Sequence, residues 1–377
     1  MKKILFVQNT SAIGGASFCM LNIIKELDYS IFDITVAVPD NGPLVKELTK
    51  IGVEVKIIKR LRGIPYNRSL MSFKFLLSYV LAFLSCFAFW RVIRRNHYEV
   101  IYLNSMVLYP LLLPSRLNGS RTIIHVREHW PLNEHAFQLG LARLFVNKLS
   151  HNVFAINHYS ASIFPGSLSK CSIVYDWIDM DSRYEDRPYT DIFGPEAAQF
   201  KVFLYTGGFD QFKGPKEVVT VFSQMVKDPN ARLLIMGELP NNPSTPYIKD
   251  TIELIRQDNR IVCIPRTYNI SHIIEQAYCV LSYFTIPHAN LGMAENIIMN
   301  TVTIAADNEE AREYSDNGQL ALLFKANSLE SMSNQVAAIE SNYVDIKNRL
   351  LMHSSKIKSM FNKQLNFGVI NDVLTKI

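Results

Sequence analysis

The chain has 377 residues, 48% hydrophobic and 19% charged, the composition of a globular protein with room for two domains that each bury a core. Its net charge of +5 is unevenly spread: residues 1–150 carry 19 Lys and Arg against 9 Asp and Glu, hence +10, and the remainder 20 against 25, hence −5. A basic half can meet nucleic acid, anionic lipid or a phosphorylated substrate, but no helix-turn-helix, RNP-like or Cys/His finger pattern accompanies it, so nucleic acid is set aside.

The start, MKKILFVQN, places two lysines before an apolar run of four residues, too short for a signal-peptide core, and reads as a first buried strand over Lys3–Val7. Gln8 to Gly15 form a loop ending in Gly14-Gly15, and Ala16–Leu27 is helix-patterned, the β–loop–α opening of a doubly wound domain. The loop lacks G-x-G-x-x-G, so no dinucleotide fingerprint is present. By itself the Gly pair fits a tight turn needing positive φ. Strands follow at Ile34–Val38 and Val53–Ile57, the second leading into a basic loop with Lys59, Arg60, Arg62 and Arg68.

From Phe75 to Trp90 sixteen residues run without a charge, closing on Arg91, Arg94 and Arg95. At 1.5 Å per residue they would reach roughly 24 Å, short of the ~30 Å hydrocarbon thickness of a bilayer, and a strand follows at once. The preferred reading is a helix with one face in the core and the other, with its Arg collar, at an anionic membrane surface. A wholly buried core helix is the alternative.

The strand Val100–Leu103 leads into Asn104-Ser105, and Thr122–Ile124 into His125, Val126, Arg127, Glu128 and His129. Polar residues directly after a buried strand point into the cleft of a doubly wound domain. After strands at Val153–Ile156 and Ser172–Tyr175, the polar stretch Asp181–Gln199 reads as a linker. A second alternation begins at Val202–Tyr205, with a Gly-containing loop Thr206–Gly214, a helix Lys216–Val226, strands Arg232–Met236 and Arg260–Ile264, and helices Tyr247–Gln257 and Ser271–Gln276. The strand ending at Phe284, the turn Pro287–Gly292, a short helix Ala294–Met299 and the strand Thr301–Ala306 complete it. Glu295 then sits near a helix N-terminus at the C-terminal edge of a parallel sheet, either capping the helix or accepting hydrogen bonds from a ligand. The five cysteines (Cys19, Cys86, Cys171, Cys263, Cys279) show no C-x-x-C spacing, so neither a disulfide framework nor a zinc site is indicated, and a reducing cytoplasm fits.

The run ENIIMNTVTIAAD with NEEAREYSDNGQLALLF resembles the donor-site segment of family 4 retaining glycosyltransferases. Glu295 matches the second Glu of that family's paired-Glu motif, while Pro287 stands at the first, Asn300 at a Gly and Val302 at a Pro. TGGFDQFKG resembles the family's diphosphate loop: Lys213 matches its Lys, Gly208 occupies the place of its Arg, and Arg266 is the candidate for the missing charge. Lys213 also fits a plain solvated turn residue. GGAS at Gly14-Gly15 resembles the GGAE-type loop, with Ser17 for Glu. YLNS with HVREHW is similar to the first domain of bacterial polysaccharide glycosyltransferases, and VYDWID to the V-x-N-x-x-D passage that ends that domain, with Asp176 for Asn.

The resemblance implies an α/β GT-B fold, two doubly wound Rossmann-like domains facing across a cleft. Residues 1–182 would bind the acceptor, 200–345 the nucleotide-sugar donor, and the helical tail 346–377 would return to the first domain. It gives catalytic roles to His125, Lys213 and Glu295; donor binding to Gly14, Gly15, Gly207, Gly208, Lys213, Arg266, His288, Asn290, Leu291, Gly292 and Glu295; and acceptor binding to Asn104, Arg127 and His129. The expected activity is retaining transfer of a hexose or similar sugar from a UDP- or GDP-sugar to a lipid-linked or polysaccharide acceptor in cell-surface glycan synthesis. No metal or cofactor is expected beyond the donor itself, and the expected location is the cytoplasmic side of the cell membrane, peripherally bound. The alternative is a weak or inactive relative serving as a binding or assembly partner.

Overall fold

The computed structural model describes residues 1–64, 73–129, 136–180, 185–241, 243, 245–267, 269–284 and 290–376. The chain divides into two compact units, Met1–Trp177 with Lys363–Ile377, and Ile178–Asn362. The crossover back to the first unit falls at 362/363, later than 346, because the long helix there continues through His353 within the second unit.

The first unit runs β1 (Lys2–Val7), α1 (Gly15–Glu26), β2 (Phe32–Val38), α2 (Pro43–Lys50), β3 (Glu54–Ile57), α3 (Phe73–Asn96) and β4 (Val100–Leu103). It continues through a 3-10 turn (Met106–Leu111), α4 (Leu112–Leu117), β5 (Arg121–Val126), α5 (Ala136–Leu149), β6 (Asn152–Ala155), α6 (His158–Ser162) and β7 (Cys171–Ile173). All seven strands are parallel in the order β3-β2-β1-β4-β5-β6-β7. Central strands such as Ile4–Val7 and Val100–Leu103 are buried on both faces, as a parallel sheet covered on both sides requires. One face packs against α1 and α2, the other against α3, α4 and α5.

The second unit runs α7 (Thr190–Phe193), β8 (Lys201–Tyr205), α8 (Pro215–Met225), β9 (Ala231–Met236), α9 (Pro246–Gln257), β10 (Ile261–Ile264), α10 (Ser271–Gln276) and β11 (Cys279–Ser282). It then forms α11 (Leu291–Ile298), β12 (Thr303–Ala306), α12 (Glu309–Tyr314), β13 (Leu322–Phe324), α13 (Leu329–His353) and α14 (Ser355–Met360). Its six parallel strands lie in the order β10-β9-β8-β11-β12-β13. The last helix, α15 (Lys363–Lys376), puts Ile370 and Leu374 into the core of the first unit beside Trp177.

Helix α3 is longer than its uncharged stretch, 24 residues rather than sixteen. Tyr79, Ala82, Phe89 and Ile93, spaced by three, seven and four residues and so on one helix face, lie in the core of the first unit. That packing, rather than length, makes α3 part of the domain.

Candidate functional site

In both sheets the strand order reverses once, between β1 and β4 and between β8 and β11. Open parallel sheets bind ligands at the carboxyl ends of the strands beside such a reversal, and both places are polar here.

In the first unit, Gln8 follows β1 and Asn104 follows β4. Asn104 Nδ2 donates to Gln8 Oε1 at 2.9 Å and to the carbonyl of Ala16 at 3.0 Å, tying the reversal to the start of α1. Arg127, just past β5, donates from Nε to Asn104 Oδ1 at 2.9 Å, from Nη1 to Asp176, and from Nη2 to His125 Nδ1 at 3.2 Å. Burial alone would lower the Arg127 pKa; Asp176 reverses the sign and holds the guanidinium charged. Glu128 turns back to accept from Ser105 Oγ and from the backbone N–H of Met106 at 2.9 Å.

His125 lies inside β5 rather than beyond it, fully buried between Tyr102 and Phe154, a correction to the expected strand-end position. Tyr102 Oη donates to its Nδ1 at 2.6 Å. Because an arginine can only donate, Nδ1 must accept, which leaves the proton on Nε2. Burial, and then the Arg127 charge, push the imidazole pKa well below its usual value, so it is neutral. Nε2 has no partner among the described residues.

The three residues expected to meet an acceptor each have a partner within the unit. Asn104 and Arg127 bond to each other, and His129 stacks on Tyr159 with ring centroids 3.8 Å apart. A buried arginine costs too much without fixed partners, and Asp176, which the linear pattern did not connect to Arg127, supplies the charge.

Gly14 and Gly15 do not need glycine for their backbone angles: Gly14 caps α1 at φ −121°, and neither residue has positive φ. A Cβ at either would meet nothing within 4 Å. They leave the N-terminus of the twelve-residue helix α1 open, where backbone N–H groups favour an anion. Ser17 faces inward, accepting from Gln8 Nε2 at 3.1 Å and donating to the Ala12 carbonyl at 2.9 Å.

In the second unit, the loop after β8 turns on Gly208 at φ +64° and Gly214 at φ +67°. Gly208 therefore occupies a left-handed position that an arginine would strain. A Cβ on Gly207 would fall 2.2 Å from Tyr205 Oη, and one on Gly214 2.3 Å from the Tyr283 ring. Tyr205 Oη donates to the Lys213 carbonyl at 3.0 Å, and Asp210 caps the turn by accepting from the Phe212 N–H at 3.0 Å. Lys213 is thus held half-buried, its Nζ 5.7 Å from the centre of the Phe284 ring that follows β11. Burial, and then the nearby charge of Arg266 from the loop after β10, lower its pKa. Asp210 in the same turn offsets part of that effect, so a half-buried ammonium within electrostatic reach of a second cation stands beside the second reversal.

Helix α11 starts at Leu291, three residues earlier than its pattern indicated, because Asn290 caps it by accepting from the Met293 N–H at 3.3 Å. Leu291 and Gly292 are its first helical residues. With Asn290 in the capping role, Glu295 is left as a buried carboxylate in the second turn, 6% exposed. His288 and Pro287 lie outside the described residues. Asn300 takes φ +56°, so the position where the resembling family carries Gly is left-handed here too, and asparagine is among the residues that tolerate it.

Residues 191–354 match the family model described as glycosyl transferases group 1. No curated protein matches the chain by sequence. Among solved structures it resembles Anabaena Alr3699/HepE in complex with UDP and glucose, at TM-score 0.78 and 16% identity over 100% of both chains. A glycosyltransferase from Rickettsia africae matches at TM-score 0.76 and 14% identity over 100% of this chain and 98% of that one. Sucrose-phosphate synthase from Thermosynechococcus elongatus matches at 0.72 and 12%, over 100% and 99%. The chain has the GT-B fold of two Rossmann-like domains, and its residues 191–354 match the glycosyl transferases group 1 family.

Proposed function

We propose that the protein is a retaining glycosyltransferase that moves a sugar from a UDP- or GDP-sugar to a lipid-linked or polysaccharide acceptor. The observation that carries this reading is the Gly-bounded loop at the second reversal, which holds Lys213 half-buried with its backbone carbonyl bonded by Tyr205 Oη and its ammonium over the Phe284 ring. Cleaving a glycosyl–phosphate bond develops negative charge on the departing diphosphate and positive charge on the sugar. Fixed cations beside the leaving group stabilise that separation more than the ground state. Glu295, buried on α11, is suited to accept from ribose hydroxyls. His125, neutral with its proton on Nε2, acts as a hydrogen-bond donor rather than as an acid. UDP and glucose in the Anabaena relative support a UDP-sugar as the first donor to try. Retention of configuration rests on the family resemblance.

A second reading, a nucleotide-binding relative without transfer activity, is favoured by one observation: the left-handed backbone at Gly208 disfavours the second diphosphate cation of the family at that position. Incubation with a panel of UDP-, GDP- and dTDP-sugars, with release of nucleoside diphosphate measured with and without membrane lipid extracts, separates the two. Release above the no-enzyme rate is expected with at least one donor. Nucleotide binding without any release would favour the second reading, and no nucleotide binding would overturn both.

A further inference from the structure

We propose that α3, α4 and α5 together form a docking surface for an anionic lipid bilayer. On α3 the core face is opposed by a second apolar stripe, Leu76, Val80, Leu84 and Phe87, of which Leu76, Leu84 and Phe87 are 57–61% exposed. The same pattern recurs on α5, where Phe137 is 66% and Leu144 55% exposed, and on α4, where Leu117 is 74% exposed. Phe83 of α3 packs edge-on against Phe145 of α5, with centroids 6.2 Å apart, so the stripes are neighbours on one face of the first unit. Single exposed apolar side chains need no explanation, but exposed apolar residues on three helices packed side by side mark an interaction surface.

Charge identifies the occupant. None of the three helices contains an Asp or Glu. Each stripe ends in cations: Arg91, Arg94 and Arg95 on α3, Arg116 on α4 and Lys148 on α5. Arg91 and Arg94 lie over the Phe87 and Trp90 rings, the posture of side chains whose stems follow an apolar surface while their heads reach polar groups. A second copy of the chain is a poor fit, because a two-fold contact through this patch would set one acid-free basic face against another. Anionic headgroups above acyl chains match both parts.

Geometry also sets the orientation. Helices α3 and α5 each lead into a parallel strand of one sheet, so they run in the same direction and their apolar beginnings lie at the carboxyl edge of the strands. That edge carries Asn104 and Arg127. Leu76 to Phe87 covers about 16 Å along the axis, and the arginines begin one turn beyond. With one face of α3 held in the core, the helix meets the bilayer from outside and does not cross it.

Lipid binding needs no sugar donor, so its failure is distinguishable from failure of the transfer reading. The full chain is sedimented with vesicles of phosphatidylcholine alone and of phosphatidylcholine with phosphatidylglycerol, at low and high salt. Binding to the anionic vesicles at low salt, largely released by high salt, is expected. Leu84→Glu with Phe87→Glu, and separately Phe137→Glu, should each weaken partitioning by at least about tenfold with the thermal midpoint little changed, since these side chains are outside the core. Arg91, Arg94 and Arg95 changed to Glu should do the same. No binding at low salt, or wild-type binding by the Leu84/Phe87 and Phe137 variants, would overturn the proposal. So would a concentration-dependent dimer in size-exclusion chromatography that Phe87→Glu abolishes.

Discussion

Arg127 and Asp176 form an ion pair at the carboxyl edge of the first sheet, with side chains 3% and 16% exposed. The pair explains a departure from the resembling pattern, which has Asn where Asp176 stands. A guanidinium buried against Asn104 and His125 needs a countercharge, and a neutral amide would not supply one.

Asp176→Asn is therefore expected to lower the unfolding free energy by about 3–5 kcal/mol, the range for stranding one member of a buried pair. Urea denaturation monitored by circular dichroism reads this directly. Arg127→Met combined with Asp176→Asn should recover most of the loss. A single-variant cost below about 1 kcal/mol would mean that the pair is dispensable.

Lys213→Ala is expected to weaken UDP or GDP binding by roughly 1.5–3 kcal/mol, the worth of a hydrogen bond to a charged group, with little effect on the thermal midpoint. Arg266→Ala should weaken it as well, and the double variant more than either. Isothermal titration calorimetry decides; unchanged affinity in the Lys213 variant would remove that residue from the diphosphate site.

Glu295→Gln keeps the shape of the second turn of α11 while weakening acceptance from ribose hydroxyls. Turnover should fall more than stability. If the melting temperature collapses while the remaining folded enzyme turns over normally, Glu295 serves packing and not the donor.

Glu310, fully buried in the first turn of α12, has its carboxyl pushed up to about 8 by burial and then by its neighbours Glu309 and Glu313. In the unfolded chain it ionises near 4.5, so between about 4.5 and 8 the folded state holds the extra proton and stability falls as pH rises. At about 1.4 kcal/mol per pH unit of separation, a few kcal/mol are at stake. Glu310→Gln should flatten this slope, raising the melting temperature relative to wild type more at pH 8 than at pH 5. Parallel curves for the two proteins would show that the carboxyl is ionised in the fold.

The sequence by itself determined the alternation of strands and helices, because buried parallel strands such as Ile4–Val7 and Leu233–Met236 are continuous apolar runs bounded by turn residues. The resemblance to a known family singled out Lys213, Arg266 and Glu295 as candidates, since Gly-bounded loops and helix starts are local features that a linear pattern records. The linear pattern missed α5, whose Leu139, Ala142 and Val146 have helical spacing but whose exposed Phe137 and Leu144 blur the contrast between faces. Only the tertiary structure decided what each polar residue faces. Asn104, Arg127 and His125 come from different strands or stand inside one, so whether they meet a ligand or one another depends on long-range pairing with Asp176, forty-nine positions from Arg127. Departures such as Gly208 and Asn300 likewise became intelligible only as left-handed backbone positions, a property of the folded chain's φ angles and not of its residue pattern.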